Sequence, residues 1–275
     1  MTRYFKTSDG LSLAFDDQGQ GPALLCLSGL TRNREDFDTI HGLSRRVRLI
    51  RMDYRGRGDS DHGDWQSYTV AREAEDAIEL LDYLEVPQTA IFGTSRGGLI
   101  AMRLAHTHLD RLTGVLLNDI GPVIDSAGLE AIKGYVGITP SYADYDEAAT
   151  GLQKTYLDDF PEVGLAQWVV FARRIFRQTR DGLELRYDPA LREAVLATTA
   201  PAPDMWPLFD ALKGLPVAVL RGENSSLLSA ETLAEMAHRH PGLMSATVRG
   251  RGHVPFLDET ESVALIDAFL VELGA

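Results

Sequence analysis

The sequence predicts an α/β fold, a mostly parallel sheet covered by helices and interrupted by a helical insertion. Three observations carry this expectation. Short β-branched or leucine-rich runs alternate with helix-period segments, the pattern of parallel strands joined by helical crossovers. One run turns directly into a helix through Gly93-x-Ser95-x-Gly97. Residues 121–199 carry helix-period apolar residues and many aromatics but no convincing buried strand.

In chain order, residues 11–15, 23–28 and 47–53 read as strands. A helix follows, because Val70, Ala74, Ala77, Ile78, Leu81 and Leu84 share one face and Thr69 stands before them as an N-cap. Residues 90–94 form a strand leading into a helical pattern that runs to His106, and residues 114–119 form the next strand. The insertion opens at Gly121-Pro122 and closes at Ala200-Pro201-Ala202-Pro203, since each proline restricts the residue before it. Its aromatics (Tyr135, Tyr142, Tyr145, Tyr156, Phe160, Trp168, Phe171 and Phe176) are expected mostly to form a small local core. Strands at residues 217–221 and 243–249 and a closing helix at 262–273 complete the chain. The expected division is a core of residues 1–120 and 203–275 carrying an insertion of residues 121–202.

Bulk properties exclude several classes. A formal net charge of −13 argues against nucleic acid or an anionic membrane surface as partner. Cys26 is the single cysteine, so no intrachain disulfide forms. The first ten residues carry Arg3, Lys6 and Asp9 around no apolar segment and do not read as a signal peptide. No run of ~18 apolar residues suggests a membrane span, which leaves a cytoplasmic location as the default expectation.

The chemistry centres on Ser95. In Ile91-Phe92-Gly93-Thr94-Ser95-Arg96-Gly97-Gly98 a strand turns sharply into a helix. Such a turn crowds the positions two residues either side of the serine, and glycine removes the offending Cβ. The serine then projects at the sheet edge, near a helix N-terminus that favours negative charge. The competing reading is a tight turn with a capping serine.

A serine hydroxyl needs a base within hydrogen-bond reach. His253, in Arg249-Gly250-Arg251-Gly252-His253-Val254-Pro255-Phe256, follows the last strand in a glycine-rich loop. His106, His108, His238 and His240 sit on or at the ends of helices, His41 in the first helical stretch and His62 in a polar loop. Two backbone amides should face the developing oxyanion, those of Arg96 and of Leu30 in Leu27-Ser28-Gly29-Leu30-Thr31. No zinc-ligand pattern occurs, and Gly56-x-Gly58 is too short and wrongly placed for a dinucleotide, so no cofactor is expected.

With Asp53-Tyr54-Arg55-Gly56-Arg57-Gly58-Asp59-Ser60, these segments resemble the α/β-hydrolase superfamily, whose loop after the fourth strand usually reads D-x-R-G-x-G-x-S. The resemblance covers nearly the whole chain. It implies an eight-stranded, mostly parallel sheet with a helical cap inserted after strand six, which residues 121–199 match in position and length. Two departures stand out. Ser28-Gly29 replaces a frequent His-Gly in the oxyanion loop. The loop after strand seven, Arg221-Gly222-Glu223-Asn224-Ser225-Ser226-Leu227-Leu228, has no aspartate, and Ser226 stands where the resemblance implies the acid. Asp119, at the end of strand six, is the preferred replacement, since certain haloalkane dehalogenases carry their acid there. Glu223 and an incomplete triad are the alternatives.

The resemblance thus implies a serine hydrolase of a small carboxylic ester or lactone, working through an acyl-enzyme with no cofactor. Arg32, Arg55 and Arg96 lie near the active edge and could favour an acidic acyl group. Two other readings are hydrolysis of a carbon–carbon bond in a diketone-like ring-cleavage product and a ligand-binding scaffold with a decayed site.

Overall fold

A computed structural model describes residues 1–197 and 203–275. The chain enters through an antiparallel edge, β1 (Arg3–Lys6) against β2 (Ser12–Gln18). Next come β3 (Ala23–Leu27), a 3-10 helix (Arg34–Arg45), β4 (Arg48–Met52), α1 (Val70–Tyr83), β5 (Thr89–Thr94), α2 (Arg96–Thr107) and β6 (Leu112–Asn118). The chain then leaves the sheet for α3 (Ser126–Tyr135), α4 (Tyr145–Thr155), α5 (Leu165–Ile175), a small hairpin of β7 (Phe176–Gln178) and β8 (Leu183–Leu185), and α6 (Leu191–Leu196). It returns through α7 (Trp206–Asp210), β9 (Val217–Gly222), α8 (Ala230–Arg239), β10 (Met244–Val248) and α9 (Thr260–Glu272). Residues 198–202 lie outside the described residues, and with them Ala200, Pro201 and Ala202 of the expected boundary.

The eight-stranded sheet has the order β1-β2-β4-β3-β5-β6-β9-β10. Only β1–β2 and β2–β4 pair antiparallel; the other neighbours are parallel. This is the expected α/β fold. Side-chain alternation builds its two core layers. Leu25, Leu27 and Ile91 face the layer that holds Ala74 and Ala77 of α1 and Ile100 of α2. Leu24, Cys26 and Phe92 face Phe37 of the 3-10 helix and Phe269 of α9. Every strand residue of β5 is buried, as a central parallel strand requires. Thr69 caps α1, its hydroxyl accepting from the Arg72 amide at 3.1 Å.

Two β features are absent from the sequence reading. In β1 only Phe5 is buried while its neighbour Tyr4 is exposed, so these four residues gave no alternation to detect. The strands of the β7–β8 hairpin have three residues each and bury only Phe176 and Leu183. The inserted helices build a separate cluster around Phe160, Trp168 and Phe176, against which Phe256 of the main body packs.

Candidate active site

The parallel strands deliver their following loops to one edge of the sheet, where α/β proteins place their sites. Ser95 lies there between β5 and α2 with φ 50° and ψ −110°. Such a conformation costs a non-glycine residue about 1–3 kcal/mol. The surroundings impose it. A Cβ on Gly93 would lie 2.5 Å from the Gly97 carbonyl oxygen, and one on Gly97 would run into the Leu27 carbonyl at the end of β3. Two glycines therefore let the helix start directly on the sheet.

His253 approaches from the loop after β10. That loop is pinned on both sides. Glu259 accepts from Arg251 Nε at 2.8 Å and from the Phe256 amide at 2.8 Å, and Glu223 accepts from the Gly250 amide at 3.0 Å. The Asn224 amide donates to the Arg251 carbonyl at 2.9 Å. Ser95 Oγ and His253 Nε2 are 2.9 Å apart, and His253 Nδ1 lies 2.7 Å from Asp119 Oδ2. An ionised carboxylate only accepts, so Nδ1 carries the proton and Nε2 is free to accept from the serine hydroxyl. Asp119 also accepts from the Gly222 amide at 2.7 Å and from Ser225 Oγ at 2.6 Å.

Asp119 is thus the carboxylate brought to His253. Glu223 is turned instead to the Gly250 amide. Ser226 lines the cavity beside the relay, while its neighbour Ser225 is the residue that reaches Asp119. Sequence reasoning missed Ser225. Two adjacent serines in one loop look alike, and the turn that closes with Ser225 N donating to Gly222 O at 3.0 Å decides between them.

Leu30 lines the same cavity as Ser95. Arg96 follows the serine directly, and a Cβ on Gly29 would come 3.9 Å from Ser95 Cβ. Among the described residues neither the Leu30 nor the Arg96 amide has an acceptor, which leaves both available to a ligand oxygen.

A cavity of about 380 Å³ opens at Ser95 and His253. Its wall includes Tyr156, Phe160, Trp168 and Phe171 from the insertion together with Phe256. Phe256 stacks on Phe160 and Phe171 at centroid distances of 5.3 and 5.6 Å. The aromatics expected to form a local core therefore also wall the site. Asp159 is the one carboxylate among the described residues of that wall, and burial, then the neighbouring Asp158, push its carboxyl above the usual range.

The three arginines take different places. Arg55 is buried in ion pairs with Asp76 and Asp9, and Arg96 turns its side chain to buried Glu73. Only Arg32 lines the cavity, stacked 4.0 Å from the Phe171 ring, and its Nε and Nη2 are both held by Asp36. A net cationic pocket for an acidic acyl group is therefore not formed. Among the described residues, no cluster of three or more histidine, cysteine or acidic side chains could hold a metal ion, and no helix is long and apolar enough to cross a membrane.

Comparison with known proteins agrees with this architecture. Residues 24–265 match the model of the alpha/beta hydrolase family. A 3-hydroxybutyrate-oligomer hydrolase of Cupriavidus necator is 35% identical, over 92% of this chain and 89% of its own. A 2-(acetamidomethylene)succinate hydrolase of Mesorhizobium japonicum is 27% identical over 88% of this chain and 85% of its own. The crystal structure of an alpha/beta hydrolase from Novosphingobium aromaticivorans superposes with a TM-score of 0.93 at 40% identity, covering 99% of this chain and 98% of that one.

Proposed function

We propose that this chain, which belongs to the alpha/beta hydrolase family, is a serine hydrolase cleaving a small carboxylic ester or lactone. The observation that carries the reading is the unbroken relay Ser95–His253–Asp119 at the mouth of an aromatic cavity. Ser95 Oγ attacks the carbonyl carbon while His253 Nε2 takes its proton. Asp119 stabilises the imidazolium, and the Leu30 and Arg96 amides receive the oxyanion. Collapse of the tetrahedral intermediate expels the alcohol, protonated by His253. The same histidine then activates a water that releases the acid and restores Ser95.

In this reading residues 121–202 are a cap over a core of residues 1–120 and 203–275, and the cap's aromatics receive the apolar part of the substrate. The Cupriavidus relative is named for hydrolysis of a 3-hydroxybutyrate oligomer; a hydroxy acid joined to its neighbour through hydroxyl and carboxyl is an ester, which supports an ester as the bond cleaved here and makes short 3-hydroxyacyl esters the first substrates to test.

The test is hydrolysis of p-nitrophenyl butyrate and of 3-hydroxybutyrate esters. Ser95→Ala is expected to abolish turnover, and Asp119→Asn to lower kcat by as much as ~10⁴-fold. Ser226→Asp is expected to give no gain, because Asp119 already fills the acid's role. A gain with Ser226→Asp would mean an incomplete triad. Activity on a diketone with none on esters would move the reading to carbon–carbon hydrolysis. Failure of Ser95 to take an organophosphate label would mean a decayed site.

A further inference from the structure

We propose that Glu73, buried between Arg57 and Arg96, is a positioning residue that keeps the two oxyanion-binding amides in register. The inference rests on the serine-hydrolase reading above. Leu30 and Arg96 belong to different elements, the loop after β3 and the first turn of α2. Two such amides can serve one oxygen only if their elements are tied together to within about 0.5 Å.

At the root of the loop the tie is simple. The Ser28 carbonyl accepts from the Gly97 amide at 3.1 Å and from Tyr54 Oη at 3.0 Å. Past Ser28 the loop is held by a side chain from elsewhere. Arg57, from the loop after β4, donates through Nε to the Leu30 carbonyl at 2.9 Å and through Nη1 to the Arg55 carbonyl at 2.7 Å. Its Nη1 also lies 3.0 Å from Glu73 Oε1. The other Glu73 oxygen accepts from Arg96 Nε at 2.5 Å, and Arg96 Nη2 donates to the Tyr68 carbonyl at 2.9 Å. One carboxylate of α1 thus joins the side chain that holds Leu30 to the side chain of the residue bearing the second amide.

Stability alone does not account for this arrangement. The Arg57 and Glu73 side chains are fully buried and Arg96 is nearly so. Arg57 Nη2 has no hydrogen-bond partner among the described residues, nor has Glu73 Oε1 beyond its ion pair. Buried ionic groups with unmet bonds are poor stabilisers, and apolar side chains of similar volume often do as well or better. What the triple supplies is fixed geometry.

Glu73→Gln keeps the side chain's shape and removes its charge. Because losing one whole oxyanion donor costs about 10²–10³-fold in kcat, loosening both should lower kcat on p-nitrophenyl butyrate by about 10- to 100-fold. KM should stay within about 2-fold, since ground-state binding in the cavity is untouched. An alkylboronic acid, which forms a tetrahedral adduct on Ser95, should bind more weakly by a factor tracking kcat/KM. The pH midpoint set by His253 should not move.

Unchanged kcat and boronate affinity in a folded Glu73→Gln protein would overturn the inference. So would a kcat loss accompanied by a shifted pH midpoint and undiminished boronate binding, which would mean general distortion. If Glu73→Gln does not fold, Arg57→Lys decides by the same readings: it keeps the charge but lacks the fork that spans Leu30 and Glu73. Wild-type protein inert toward esters, or Ser95→Ala as active as wild type, would remove the serine-hydrolase reading and this inference with it. Ser95-dependent turnover undiminished by both variants would remove the role of Glu73 alone.

Discussion

Asp119 faces His253 because three donors converge on it from two other segments: the Gly222 amide, Ser225 Oγ and His253 Nδ1. Its own backbone has φ 57°, the left-handed region, at the point where β6 ends. The Ser225 hydroxyl acts on the carboxylate and, through it, on the histidine. Ser225→Ala should therefore lower kcat by about 10-fold, the equivalent of one hydrogen bond to a charged group. Steady-state kinetics on p-nitrophenyl butyrate reads this, and full activity in Ser225→Ala would leave Gly222 as sufficient support. Of the relay, Ser95 and His253 were legible from local motifs. Asp119 was legible only as one of several choices, because its partner lies more than a hundred positions along the chain and the loop after β9 contains no aspartate.

At the scale of elements, the strand–serine–helix unit depends on how closely α2 approaches β3. Gly97 donates to the Ser28 carbonyl at 3.1 Å, and its Cα is too near the Leu27 carbonyl for any side chain. Gly97→Ala must push α2 off β3, at about 1–3 kcal/mol for an overpacked core site. Urea unfolding should show that loss, with a fall in kcat because Leu30 and Arg96 move apart. A variant as stable as wild type would show that the contact relaxes freely. The helix α1 is instructive for a different reason. Its apolar face and the Thr69 cap follow from spacing, yet Glu73 and Asp76 are buried on it among Ala74 and Ala77. Acidic residues in an amphipathic helix ordinarily face water, and nothing local to α1 announces that Arg57, Arg96 and Arg55 wait on the other side.

For the whole molecule, charge pairing ties the N-terminal edge of the sheet to its body. Asp17 of β2 accepts two bonds from Arg48 of β4 at 2.9 Å each and one from Arg3 of β1 at 3.2 Å. The Arg48 guanidinium holds the Asp17 carboxyl below the usual range, and Arg55 does the same for Asp9 more strongly. For a carboxylate lowered by folding, the stability it contributes is present above the unfolded value of about 4 and is lost as pH falls toward the folded value. The melting temperature should therefore decline from about pH 4 downward, and Asp17→Asn should lie below wild type at neutral pH while losing less on acidification. Parallel curves for the two proteins would show that Asp17 contributes nothing to the acid response.

Taken by itself, the amino-acid order determined what neighbouring residues can enforce: the short apolar runs that form the central strands, the glycines that admit the turn at Ser95, and the loop that carries His253. These are short-range matters of sterics and backbone reach, and they read directly. The tertiary structure alone decided which acid meets the histidine, which serine supports that acid, and which arginines face the cavity. Arg55 and Arg96 went inward because buried carboxylates on α1 met them there, whereas Arg32 stayed in the wall against Asp36 and Phe171. A charged side chain takes its partner from whatever the packed sheet brings within about 3 Å, and that distance is set by the fold as a whole.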